Sequence, residues 1–130
     1  MLNFNIVSLS TAFIATALCI ALLFAPEIIF RLFTIEEDSS AFFIGRRTAM
    51  LFLGIAVLSW VGRNAAHSES RQAICLGLAV SIFALALMGI AEYIRGFVGI
   101  GIFLAVVAEC ILAVMYFTIW YRYKNNQYSA

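Results

Sequence analysis

The sequence predicts an all-α integral membrane protein, a bundle of four transmembrane helices, and three observations lead there. The composition is 65% hydrophobic and 12% charged, against about 45–50% and about 25% in an ordinary soluble domain. Mean hydropathy is +1.03. The charges are gathered into short segments that separate four long apolar runs. A water-soluble chain of 130 residues has too little interior to hide this much apolar surface, whereas lipid solvates it. The whole of 1–130 reads as one transmembrane domain, with spans over 6–25, 41–62, 73–91 and 97–120 and an interfacial segment over 27–35.

The first run, Ile6 to Ala25, carries no charge and makes about 30 Å of helix, enough to cross the hydrocarbon core. A signal peptide would need a basic segment ahead of it. Nothing before Arg31 is basic except the terminal amine, and Pro26 would follow the cleavage point, so the run is read as a retained helix. Pro26 ends or kinks that helix. The stretch from Glu27 to Ile35 is apolar but interrupted by charge, which suits a segment lying along the membrane surface. Glu36-Glu37-Asp38-Ser39-Ser40 is the most polar patch, a loop in which Ser39 or Ser40 is expected to cap the next helix.

The second span, from Ala41 to Gly62, contains Arg46 and Arg47. The uncharged part after them is short for a crossing, so the arginines belong inside the helix, either reaching up to the headgroups or paired inward. Trp60 marks the far interface. A polar loop holding His67 leads to the third span, Ala73 to Ala91. Glu92-Tyr93-Ile94-Arg95-Gly96 then forms a tight turn. The fourth span, Phe97 to Trp120, carries one charge, Glu109, and ends in an aromatic belt of Trp120, Tyr121 and Tyr123 followed by Arg122 and Lys124. With both termini inside, the cytoplasmic side holds Arg63, Arg71, Arg122 and Lys124 and the other side Arg31 and Arg95, with Arg46 and Arg47 added if they count as flanking, and the positive-inside rule is read as favouring this orientation.

Several function classes have no support in the sequence. The net charge is +1, and no basic stripe with interleaved aromatics suggests nucleic acid as a partner. Cys19, Cys75 and Cys110 lie singly in apolar runs, where cysteine acts as a small hydrophobe. The lone His67 is a solvated loop residue rather than a metal ligand. No HExxH, GxSxG or P-loop occurs, and no histidine inside a span offers itself to haem. The reading is therefore non-enzymatic, with no cofactor and no metal.

Glu109 is the sharpest feature. It lies about 18 Å along the fourth span by helical rise, near mid-bilayer. A carboxylate there costs about 2.5–3.5 kcal/mol on insertion scales, so it is expected to face the bundle. Gly101, Ala105, Glu109 and Ala113 share one helical stripe, and small residues there admit a neighbouring helix. Arg46 and Arg47 are the candidate partners, about 10 Å away in depth, and Glu92 with Arg95 at the same face would complete a charge cluster. Ala73, Gly77 and Ser81 form a second small-residue stripe, expected to serve internal packing or a dimer seam. Ser8, Ser10, Thr11 and Thr16 are expected to bond their own helix carbonyls.

A pattern joins these pieces: Ala25-Pro26-Glu27 after an apolar helix, Arg47-Thr48-Ala49-Met50 opening a second, Glu92-Tyr93-Ile94-Arg95-Gly96 closing a third, and Glu109-Cys110-Ile111-Leu112-Ala113 in a fourth. It resembles a family of small four-helix bacterial inner-membrane proteins of unknown function, distantly similar to DoxX-like proteins. The resemblance spans nearly the whole chain and implies the four-helix fold and a bacterial inner membrane, but no activity. Arg46 beside Arg47 departs from the single arginine of that pattern. The small multidrug exporters carry a glutamate in the first helix, and Ile6–Ala25 has none. The glutathione-handling membrane enzymes need more polar groups than Gly45-Arg46-Arg47-Thr48 supplies.

Two functions are expected on this footing. One is a non-catalytic accessory or scaffold subunit with a structural intramembrane Arg–Glu pair. The other is a small proton-linked transporter or channel-like protein using Glu109. Beyond the lipid bilayer, four short helices bury little surface, so a second copy or a larger membrane protein is the expected partner.

Overall fold

A computed structural model describes residues 3–127, and side chains as far as Lys124. The described residues form five helices: α1 (Phe4–Phe24), α2 (Pro26–Phe33), α3 (Ser39–Gly62), α4 (Glu69–Ile94) and α5 (Ile102–Gln127). All but α2 are long and apolar enough to cross a membrane. The protein is an all-α, multi-pass membrane bundle.

Local chemistry sets the helix ends. The Asn3 side chain accepts from the Asn5 amide and starts α1. Ala25 leaves helical geometry, and Pro26 restarts the chain as the first residue of α2, where its missing N–H is no loss. Thr34 ends α2 in the left-handed region at φ 57°. Asp38, not Ser39 or Ser40, caps α3: its carboxylate accepts from the Ala41 amide at 2.6 Å, and a charged acceptor complements the helix dipole better than a hydroxyl. Ser68 caps α4 through the Arg71 amide, so that helix opens at Glu69, ahead of Ala73, and runs past Glu92 to Ile94. The turn lies later, around Gly96 at φ 80°. The fourth span consequently starts at Ile102 instead of Phe97.

The bundle is two helix pairs. α1 packs along α3, α4 along α5, and the pairs meet mainly where α1 touches α5. Small residues let α1 and α3 approach: Ala12, Ala15 and Cys19 on one side, Gly45, Ala49, Ala56 and Ser59 on the other, all buried. Gly89 does the same for α4, with the Val106 side chain 2.9 Å from where its Cβ would stand. The larger core, near the termini, gathers Phe4, Val7, Cys75, Leu78, Leu112 and Tyr116. A smaller one at the opposite end joins Cys19, Leu22 and Ala49 to Phe30 of α2.

Both ends of the bundle are stitched. At one face the start of α1, the α3–α4 loop and the end of α5 come together: Asn5 donates to the Asn64 side chain at 2.6 Å, Arg71 stacks on Phe4 at 4.3 Å, and His67 stacks on Tyr123 at 5.5 Å. At the opposite face the Gly99 amide donates to the Phe33 carbonyl at 2.6 Å. Any Cβ on Gly101 would overlap the Leu32 carbonyl oxygen. α2 itself turns Phe30 inward against Phe42, ring centroids 5.3 Å apart, and leaves Arg31 exposed beside Glu37 at 3.2 Å. This is the geometry of an amphipathic helix at the headgroup boundary.

Candidate functional site

Glu109 stands on the inward side of α5. Two turns further along the same face, Tyr116 meets Thr11 of α1. One turn before it, Val106 packs on Gly89 of α4. The carboxylate therefore projects between the two helix pairs, at a level where α1 and α5 have drawn apart: Leu18 is half-buried and Ile14 is exposed there. Glu109 is itself only half-buried. Among the described residues the ion pairs are Arg31–Glu37 and Glu92–Arg95, and no hydrogen bond reaches the Glu109 carboxylate.

The remaining charged candidates lie elsewhere. Glu92 and Arg95 join each other at 3.0 Å across one turn of α4 and its cap. Arg46 and Arg47 are exposed on the side of α3 turned away from α1, with the Arg47 guanidinium 5.7 Å from the Phe43 ring centroid. The buried side of α3 is occupied by Gly45 and Ala49. Helical spacing places residues 46 and 47 about 100° and about 200° round from residue 45, so with Gly45 turned to α1 neither arginine can reach inward. The structure brings Glu92 and Arg95 together and leaves Glu109, Arg46 and Arg47 apart.

A polar cluster that the sequence reading did not assemble lies deeper toward the terminal face. The Tyr116 hydroxyl donates to Thr11 Oγ1 at 3.0 Å, and Thr11 in turn donates to the Val7 carbonyl at 2.9 Å. Ser8 and Ser59 flank the same phenol, yet neither hydroxyl makes a hydrogen bond of ordinary geometry. Exposure is 0% for Tyr116 and Ser8 and 1% for Ser59, so these groups see neither water nor lipid. Arg71 and the buried Cys75 face each other one turn apart along α4. Thr11 and Thr16 do bond their own helix as expected, Thr16 to Ala12 at 2.7 Å, while Ser8 does not. The available signal was a tyrosine set inside an apolar run one turn short of the aromatic belt, at the depth of Ser8, Thr11 and Ser59.

Ala73, Gly77 and Ser81 are exposed. Instead of serving packing inside the chain, they line a groove of about 440 Å³ with Ile55 and Leu58 of α3. Among the described residues no group of three or more His, Cys, Asp or Glu is placed to hold a metal ion. Chemically, the interior offers one carboxylate able to take up and release a proton or hold a small cation, and a set of neutral hydroxyls. No protein-family model, no curated protein and no solved structure matches the chain.

Proposed function

We propose that the protein is a small proton-linked transporter or channel-like protein of a bacterial inner membrane, with both termini cytoplasmic, and that Glu109 is its working group. The observation that carries this reading is a carboxylate about 10 Å inside the fourth span, counted from Ile102, that faces the bundle interior, stays partly exposed and has no basic partner. A lone carboxylate at this depth costs about 2.5–3.5 kcal/mol of insertion free energy. An arginine would offset that cost in a structural pair, and none does so here. Ionisable groups kept inside spans without compensation mark proton and ion paths. No nucleophile–base pair accompanies Glu109, which favours transport over catalysis. The bacterial inner membrane rests on the resemblance to small DoxX-like proteins, and the orientation on Arg63, Arg71, Arg122 and Lys124 at the terminal face against Arg31 and Arg95 at the other, Arg46 and Arg47 lying within α3 rather than in a loop.

The test is proton flux in liposomes, wild type against Glu109→Gln, alongside thermal unfolding in mild detergent. This reading expects flux to be lost in the variant while its melting temperature is unchanged or higher. Equal flux in both proteins, or none in either, overturns it.

A second reading, the accessory or scaffold subunit, is favoured by the α3–α4 groove. A stripe of small residues exposed to lipid is the surface on which a further transmembrane helix packs closely. It predicts a stable complex with another membrane helix that Gly77→Leu disrupts.

A further inference from the structure

We propose that Arg46 and Arg47 form a binding site for an anionic phospholipid on the outer side of α3. This inference is independent of any role for Glu109.

The depth of the two arginines is fixed by packing. Gly45, next to them in the chain, lies against Phe30 of α2, whose ring stands 3.2 Å from where a Cβ would sit, and near Leu22. Leu22 belongs to the last turn of α1, and α2 is the amphipathic helix at the headgroup boundary. Arg46 and Arg47 thus start about 10–12 Å along α3 from Ser39, and their long side chains reach the phosphate level by extending back toward the start of the helix. Both side chains are exposed on the lipid side, and among the described residues no carboxylate pairs with either.

Two consecutive arginines, exposed and without a carboxylate, suit an anion at that level. Guanidinium binds phosphate through paired N–H donors in a fixed fork. Beside Arg47, with Arg46 about 100° further round the helix, the surface of α3 has a groove of about 680 Å³ lined by Phe43, Ile44, Arg47, Thr48, Met50 and Leu51. It is apolar apart from Arg47 and Thr48, and the Thr48 hydroxyl is already spent on the Ile44 carbonyl at 2.9 Å. The arrangement therefore has a cationic head and an apolar trough running toward the membrane centre, which is the shape and polarity of one phospholipid. Two positive charges at one headgroup position favour a lipid of net negative charge over a zwitterionic one.

The experiment is lipid binding to the detergent-purified protein by native mass spectrometry, with short-chain phosphatidylglycerol and phosphatidylcholine as probes. The wild type is expected to prefer phosphatidylglycerol by up to about thirtyfold, the limit that two basic residues at a membrane surface provide. Arg46→Gln with Arg47→Gln should abolish the preference, and Arg31→Gln should leave it intact. No preference in the wild type, or an undiminished one in the double variant, overturns the proposal. Complete competition by inorganic phosphate would show a free-anion site and overturn the lipid assignment. If the double variant does not fold, Phe43→Trp in the otherwise native chain supplies the reading. Its fluorescence should be quenched more strongly by brominated phosphatidylglycerol than by brominated phosphatidylcholine, and equal quenching overturns the site.

Discussion

Tyr116 shows how one residue ties the two helix pairs together. Its hydroxyl is the buried link between α5 and α1, and it ends in the Val7 carbonyl by way of Thr11. A buried hydroxyl bond contributes about 0.5–1.5 kcal/mol, so Tyr116→Phe should lower the melting temperature by a few degrees in detergent. Ser59→Ala should do the reverse or nothing, because the serine hydroxyl is buried without a bond of its own. Equal losses in both variants would mean that Ser59 shares the network on equal terms. At this scale the sequence was only partly legible. Glu109 announced itself as the lone charge in an apolar run, and its inward direction followed from the small residues on its stripe. Its supposed partners were chosen by depth alone. Depth ignores azimuth, and the azimuth of Arg46 and Arg47 is dictated by Gly45 turning inward against Phe30. The hydroxyl cluster was illegible for a related reason: Ser8, Thr11, Ser59 and Tyr116 are brought together only by the crossing of three helices.

Among the elements, the spans were readable and their ends were not. Hydropathy depends on composition over many residues, which no single cap alters, so four crossings emerged from the apolar runs. The ends depend on individual donors and acceptors: Asp38 rather than Ser39 for α3, Ser68 for α4, and the glycine turn before Ile102 for α5. Two glycines with opposite surroundings test how tightly the elements are fitted. Gly101→Ala places a methyl group on the Leu32 carbonyl and should cost about 1–3 kcal/mol through overpacking. Gly77→Ala meets nothing within 4 Å and should be neutral or stabilising by up to about 1 kcal/mol from helix propensity alone. Thermal melts of the two variants side by side check the contrast, and a Gly101→Ala protein as stable as wild type would show that the loop contact with α2 is dispensable.

For the molecule as a whole, the division into α1–α3 and α4–α5 decides what Glu109 can do. Stitches at both faces hold the pairs together, while the contact between α1 and α5 is far thinner than the contact within either pair. Removing the charge should therefore relieve the bundle rather than loosen it, and Glu109→Gln is expected to melt at the same temperature or higher. A marked fall in melting temperature would mean that the ionised carboxylate has a structural partner, supplied by another chain. Cross-linking in native membranes separates the two functional readings at this scale: Gly77→Leu leaves a monomeric transporter untouched and breaks an assembly seated in the α3–α4 groove.

The docking of Gly99 on the Phe33 carbonyl also has a consequence for biogenesis. The acceptor emerges from the ribosome with the first hairpin, and the donor only with the last. During synthesis the Phe33 carbonyl at the end of α2 stands open at the membrane surface until α4 and α5 have inserted, so this contact closes last. A nascent chain halted after α3 should then present α2 as an undocked amphipathic segment, more readily cut by membrane proteases than the finished protein, in which the arrival of one glycine loop completes the seal.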